Sequence, residues 1–258
     1  MVDTLALAGG YSLVVGGLYA FVGSQIARRE VPPEALVAHR MFLVWWFAFA
    51  ASSLLGAINI ALYRLDALAP GYYLAATQAN ILAIVLALLG LLYYMVYLYT
   101  GSSRWFRPIV LFYVLFYLAL LALVAYRWSP PEGFTDNGWS IQALPEPESD
   151  LHPAVAIPFL LLLVGPQIAA AVAFLRLAPR LDEPTPRYRV RLVGTAILLW
   201  FGASLVASIV GNLTDVDLSG LDAWQVLTRV LGLSAVLLIL AAYKPPAWVR
   251  RRYGVESV

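Results

Sequence analysis

The sequence predicts an all-α membrane protein: one bundle of seven transmembrane helices over residues 1–258, with the N-terminus outside and the C-terminus in the cytoplasm. Three observations predict it. Hydrophobic residues make up 62% of the chain and charged residues 12%, against about 25% charged in soluble globular domains. Seven apolar stretches reach the ~20 residues that cross ~30 Å of hydrocarbon. The basic residues, finally, gather on alternate connections, as they do when Lys and Arg are retained on the cytoplasmic side.

The first stretch runs from Leu5 to Ala27. Met1 is followed by Asp3 and no basic segment, so no cleaved signal is expected. Its glycines at 9, 10, 16, 17 and 23 read as a close-packing face. The second and third stretches run Leu36 to Tyr63 and Tyr72 to Tyr99, and the fourth Trp105 to Tyr126. A long acidic loop, 127–153, is expected outside. Its prolines fit a solvated spacer, whereas Trp128, Phe134 and Trp139 fit a lid docked on the membrane interface or the bundle. The fifth, sixth and seventh stretches run Ala154 to Leu175, Val190 to Asn212 and Ala223 to Tyr243. Tyr63, Tyr72, Trp105, Tyr126, Trp224 and Tyr243 stand at stretch ends, where amphipathic rings favour the headgroup level.

Fourteen of the seventeen basic residues fall on one side of this arrangement, from Arg28 and Arg29 through Arg176 to Arg191 and on to Arg250, Arg251 and Arg252. That side is therefore cytoplasmic. Its connection 176–191 and the tail from Lys244 form a basic rim suited to anionic headgroups. One lysine beside sixteen arginines fits a GC-rich genome, which makes a prokaryotic inner membrane the expected location.

Polar residues fall in stripes. Gln225, Thr228 and Arg229 share one face of the seventh stretch, and Ser204, Ser208 and Asn212 one face of the sixth. The second stretch offers Ser52 and Asn59, and the third Thr77, Gln78 and Asn80. With this topology most lie in the outer half of the membrane, so Arg229, Gln225, Thr228, Asn212, Ser208, Asn59, Gln78 and Asn80 form the candidate ligand site. Hydrogen bonding between helices is the plain alternative. An arginine near a helix centre costs ~2.5–3.5 kcal/mol on insertion scales and marks a pathway, a ligand or a buried partner. Three arrangements are open for Arg229: reaching outward along its stem, pairing with Asp222, Asp215 or Asp217, or clamping an anionic group in a wet cavity.

Catalysis finds no footing here. Cysteine is absent and only His39 and His152 are present, on opposite faces, so thiolate, histidine-rich metal and bis-histidine haem centres are not expected. No His-Glu-x-x-His pattern, paired intramembrane aspartates or phosphate-cradling glycine loop occurs. No catalytic residue, metal or cofactor is assigned. The expected partners are the bilayer, a small anionic or zwitterionic ligand and a cytoplasmic or membrane protein; nucleic acid is not needed.

In length, topology and short inner tail the chain resembles microbial rhodopsins. That family holds retinal on a lysine of the seventh helix, whereas the single lysine here, Lys244, follows that helix. The family's third-helix carboxylates are also missing, with Thr77, Gln78 and Asn80 the nearest polar set. The resemblance therefore implies the architecture without the pigment. Pro166-Gln167 in the fifth stretch is similar to the paired Pro-Gln motifs of PQ-loop carriers, although the first stretch has Ser24-Gln25. The expected function is a sensor or transducer with an outward polar pocket; a carrier of PQ-loop-like type and an accessory subunit of a larger membrane complex are the alternatives.

Overall fold

A computed structural model describes residues 3–102, 104–127, 131–144, 161–213 and 222–254. Among the described residues the chain is all-α apart from one small hairpin. Among the described residues, five helical stretches are long and apolar enough to cross a membrane: Thr4–Ala27, Leu36–Arg64, Pro70–Thr100, Leu161–Arg180 and Asp222–Tyr243. The chain packs as two compact units, 1–20 with 37–152 and 21–36 with 153–258.

The first unit holds most of α1 (Thr4–Ala27), α2 (Leu36–Arg64), α3 (Pro70–Thr100) and α4 (Phe106–Arg127). The Asp3 carboxylate starts α1 by accepting the Ala6 N–H at 3.0 Å, which satisfies one of the orphan donors of the first turn. Pro70 opens α3, where its missing N–H is harmless, and Gly101 closes it at φ 62° with its N–H on the Tyr97 carbonyl. These boundaries lie within two residues of the sequence reading.

Two kinds of packing hold this unit. Where α2 meets α3, a Cβ added to Gly90 would stand 2.4 Å from the Met41 carbonyl oxygen and 3.0 Å from the Trp45 nitrogen. The two backbones touch there because only hydrogen separates them. Beside this crossing Tyr19, Phe42, Trp45, Trp46 and Phe49 pack ring to ring, with Trp45 and Trp46 at 4.7 Å and Phe42 stacked on Tyr94 at 4.5 Å. Trp45 and Trp46 are fully buried. Such pairs add about 0.5–1.5 kcal/mol each beyond area burial.

The loop 127–153 is not structureless throughout. Gly133–Asp136 (β1) and Ile141–Leu144 (β2) pair antiparallel, with Gly133 opposite Leu144 and Asp136 opposite Ile141. The turn is built by side chains: Asp136 accepts the Gly138 N–H, and Asn137 accepts those of Trp139 and Ser140. Gly138 sits at φ 82°, a conformation glycine adopts without a Cβ penalty. Asp-Asn-Gly between Phe134-Thr135 and Ile141 was the available hairpin signal.

The second unit holds the end of α1, then α5 (Gly165–Leu177), α6 (Pro184–Leu213), α7 (Asp222–Tyr243) and α8 (Ala247–Tyr253). Residues 154–160 of the expected fifth span lie outside the described residues. Helical turns resume at Leu161, break at Val164 and restart ahead of Pro166, which cannot donate to the preceding turn. Next, α6 begins six residues earlier than expected. Pro184 and Pro186 sit in its first turn and the Arg187 N–H reaches the Glu183 carbonyl, so Arg187, Arg189 and Arg191 are helical and the basic connection is shorter than the sequence suggested. The tail also forms a helix, α8, set off by Pro245-Pro246 and closed by Gly254 at φ 61°.

Candidate functional site

The eight expected site residues fall into two sets, one in each unit. In the first unit Ser52 of α2 donates to Asn80 Oδ1 of α3 at 2.5 Å. Ser52, Gly56 and Asn59 follow one face of α2, and Ser12 of α1 lies 3.8 Å from where a Gly56 Cβ would stand. The result is a polar seam among three helices. At 1.5 Å per residue Asn80 lies ~15 Å along α3 from its start and Ser52 ~18 Å along α2 from its end. Each of Asn59 and Gln78 keeps a buried side-chain oxygen with no hydrogen-bond partner among the described residues. Thr77 instead donates to the Tyr73 carbonyl of its own helix.

The hairpin lies over the end of the first unit towards which this seam runs. The Tyr63 hydroxyl of α2 donates to Asp136 at 3.0 Å, and the Tyr73 ring of α3 meets Phe134 at 5.2 Å. At the start of α1, Thr4 Oγ1 lies 3.0 Å from where a Gly138 Cβ would be. Trp139 is buried at 6% exposure. Of the two readings of this loop, the described part is a docked cap; His152 and Trp128 lie outside the described residues.

Beside the cap one guanidinium nitrogen of Arg64 donates to both Asp3 carboxylate oxygens, tying the end of α2 to the start of α1. That hydrogen bond, helped by the Ala6 N–H, holds the Asp3 carboxyl below its ordinary value. The pairing is therefore complete above the usual carboxylate range and is lost as pH falls through the lowered value. Both side chains are exposed, so the pair positions the helix ends without contributing much stability.

In the second unit Arg229 turns back along α7. Its Nη1 donates to the Gln225 carbonyl at 3.0 Å and to Gln225 Oε1 at 2.5 Å, and Thr228 Oγ1 donates to the same carbonyl at 3.1 Å. The guanidinium thus points towards the N-terminal end of its helix, as long basic side chains do when they reach for a polar phase. Gln225, Thr228 and Arg229 are half-buried. Ser204, Ser208 and Asn212 lie on α6, their side chains outside the described residues, as are Asp215 and Asp217.

The most deeply buried polar residue among the described residues stands outside the expected site, although the sequence marks it as part of a Pro-Gln pair. Gln167 of α5 is fully buried, and neither its amide nitrogen nor its amide oxygen has a hydrogen-bond partner among the described residues. The signal was there in the fifth stretch: a glutamine directly after a helix-breaking proline. Among the described residues, no group of three or more His, Cys, Asp or Glu could hold a metal ion.

In comparison with known proteins, the chain matches no family model, no curated protein and no solved structure.

Proposed function

We propose that the chain is a sensor-type protein of seven membrane spans, adding α4 and α6 to the five stretches above. The hairpin end faces outside, the arginine-rich ends of the second unit face the cytoplasm, and the location is a prokaryotic inner membrane. The arrangement of helices is then that of the retinal-free, rhodopsin-like bundle. A small anionic or zwitterionic solute is the ligand, and a cytoplasmic or membrane protein partner receives the signal.

The observation that carries this reading is the cap. A hairpin fastened by the exposed Tyr63–Asp136 hydrogen bond and one aromatic contact sits over helices whose interior polar atoms are incompletely paired. Each such atom costs about 1–3 kcal/mol when left unsatisfied, so a ligand supplying the missing hydrogen bonds gains affinity. Solute binding under the cap would change the hairpin's docking, and α1, shared by both units, is the continuous element able to carry the change.

The test uses glutamate, glycine betaine and inorganic phosphate against the purified protein. A solute bound at a hundred times its Kd stabilises by about 2.7 kcal/mol. At least one of the three is expected to raise the unfolding midpoint of the wild type, and Asn80→Leu or Gln78→Leu is expected to abolish that rise. No rise with any of them, or a rise untouched by both substitutions, contradicts the reading. One observation favours a carrier instead: Gln167, just after the break at Val164 and unpaired among the described residues, is a polar group inside α5. Protein-dependent uptake of the same labelled solute into liposomes decides for it.

A further inference from the structure

We propose that the basic end of the second unit is a docking surface for anionic phospholipid headgroups, centred on α8. At seven residues α8 spans only ~10 Å, far too short to cross a bilayer, and its faces differ. Val249 is 3% exposed and anchors the helix, while Trp248 and Tyr253 are 63% and 53% exposed. With 100° between successive residues, Arg250 and Arg251 project from the side opposite Val249, and Arg252 lies one turn after Trp248. Such a helix lies in the interface, its aromatic rings at headgroup level and its cations towards phosphate.

The neighbouring elements extend the surface. The Lys244 ammonium lies 4.7 Å from the Phe21 ring centroid and the Arg29 guanidinium 5.4 Å from that of Tyr243. These contacts hold the end of α1 against the end of α7, where α8 begins. Arg176 and Arg180, at the turn between α5 and α6, are exposed. The acids Glu30, Asp182 and Glu183 are also exposed, yet no carboxylate lies within 4 Å of Arg250, Arg251 or Arg252 among the described residues. Three adjacent guanidinium groups with no counterion among the described residues, flanked by exposed indole and phenol rings, fit a phosphodiester surface. Guanidinium takes phosphate oxygens in bidentate fashion, and basic clusters next to a membrane are drawn to its anionic headgroups.

The full chain in neutral detergent is titrated with phosphatidylglycerol or with phosphatidylcholine, following the thermal midpoint. Phosphatidylglycerol is expected to stabilise the wild type at concentrations at least about tenfold lower than phosphatidylcholine. R250Q/R251Q/R252Q is expected to erase that preference, and R250K/R251K/R252K to retain most of it, which shows that the substituted tail still folds. R104Q/R107Q, which removes two basic residues of the first unit, keeps the preference. Equal response of the wild type to both lipids overturns the proposal, as does equal loss in R104Q/R107Q or the same stabilisation from inorganic phosphate alone.

Discussion

Replacing Gly90 by Ala is expected to destabilise the protein by about 2 kcal/mol or more, the largest loss from any single methyl group in the first unit. Two effects oppose each other. Alanine is the better helix former by about 1 kcal/mol, which favours the substitution. The added Cβ, however, would lie 2.4 Å from the Met41 carbonyl oxygen and 3.0 Å from the Trp45 nitrogen. Both are backbone atoms of α2, so no side chain can rotate away and the two helices must separate. Separation would also loosen the Phe42, Trp45 and Trp46 cluster beside the crossing. Gly17 is the control, because a Cβ there meets nothing within 4 Å; Gly17→Ala should be neutral or gain up to about 1 kcal/mol. Thermal unfolding in one detergent measures both. Equal midpoints for Gly90→Ala and the wild type would show that α2 and α3 do not approach as described.

Gln167→Met is expected to act in the opposite direction and raise stability by about 1–3 kcal/mol. The glutamine buries a donor and an acceptor, neither of them paired among the described residues. An unsatisfied buried polar group costs about 1–3 kcal/mol, and replacing it with an apolar side chain of similar shape removes that penalty. Methionine has nearly the same length and volume and fills irregular spaces. If the carrier reading holds, the same variant should also lose uptake, since the polar group inside the helix is then part of the transport path. A fall in the unfolding midpoint would mean that the amide is already satisfied.

The helices were legible because hydrophobic length is a coarse and redundant signal. Membrane-length stretches such as Leu36–Arg64 and Pro70–Thr100 contain so many apolar residues that no single one decides the assignment. The start of α6 escapes the hydrophobic signal because Arg187 and Arg189 precede the apolar stretch. Charge marks a polar environment and does not by itself end a helix, whereas Pro184 and Pro186 in the first turn mark a start. The hairpin was missed because Asp136-Asn137-Gly138 is a local turn signal inside a segment read for its prolines and acids.

The site was legible only in outline. Residue spacing put Ser52 and Asn80 on faces that could meet, and they form a hydrogen bond. Periodicity gives the face of a helix and not its neighbour, so it did not separate the α2–α3 seam from the Gln225–Arg229 turn, which belong to different units. Gln167 was noted as part of a two-residue motif, while its burial depends on packing that no single stretch encodes.

The absence of cysteine gives a direct test of the central claim, that the hairpin faces outside and the arginine-rich end faces the cytoplasm. Ser140→Cys at the hairpin turn and Ala247→Cys at the start of α8 are both exposed positions, and either thiol would be the protein's only one. In intact cells a membrane-impermeant maleimide is expected to label Ser140→Cys and to reach Ala247→Cys only after permeabilisation. Labelling of Ala247→Cys in intact cells, or protection of Ser140→Cys there, would contradict the topology and with it the outward-facing cap.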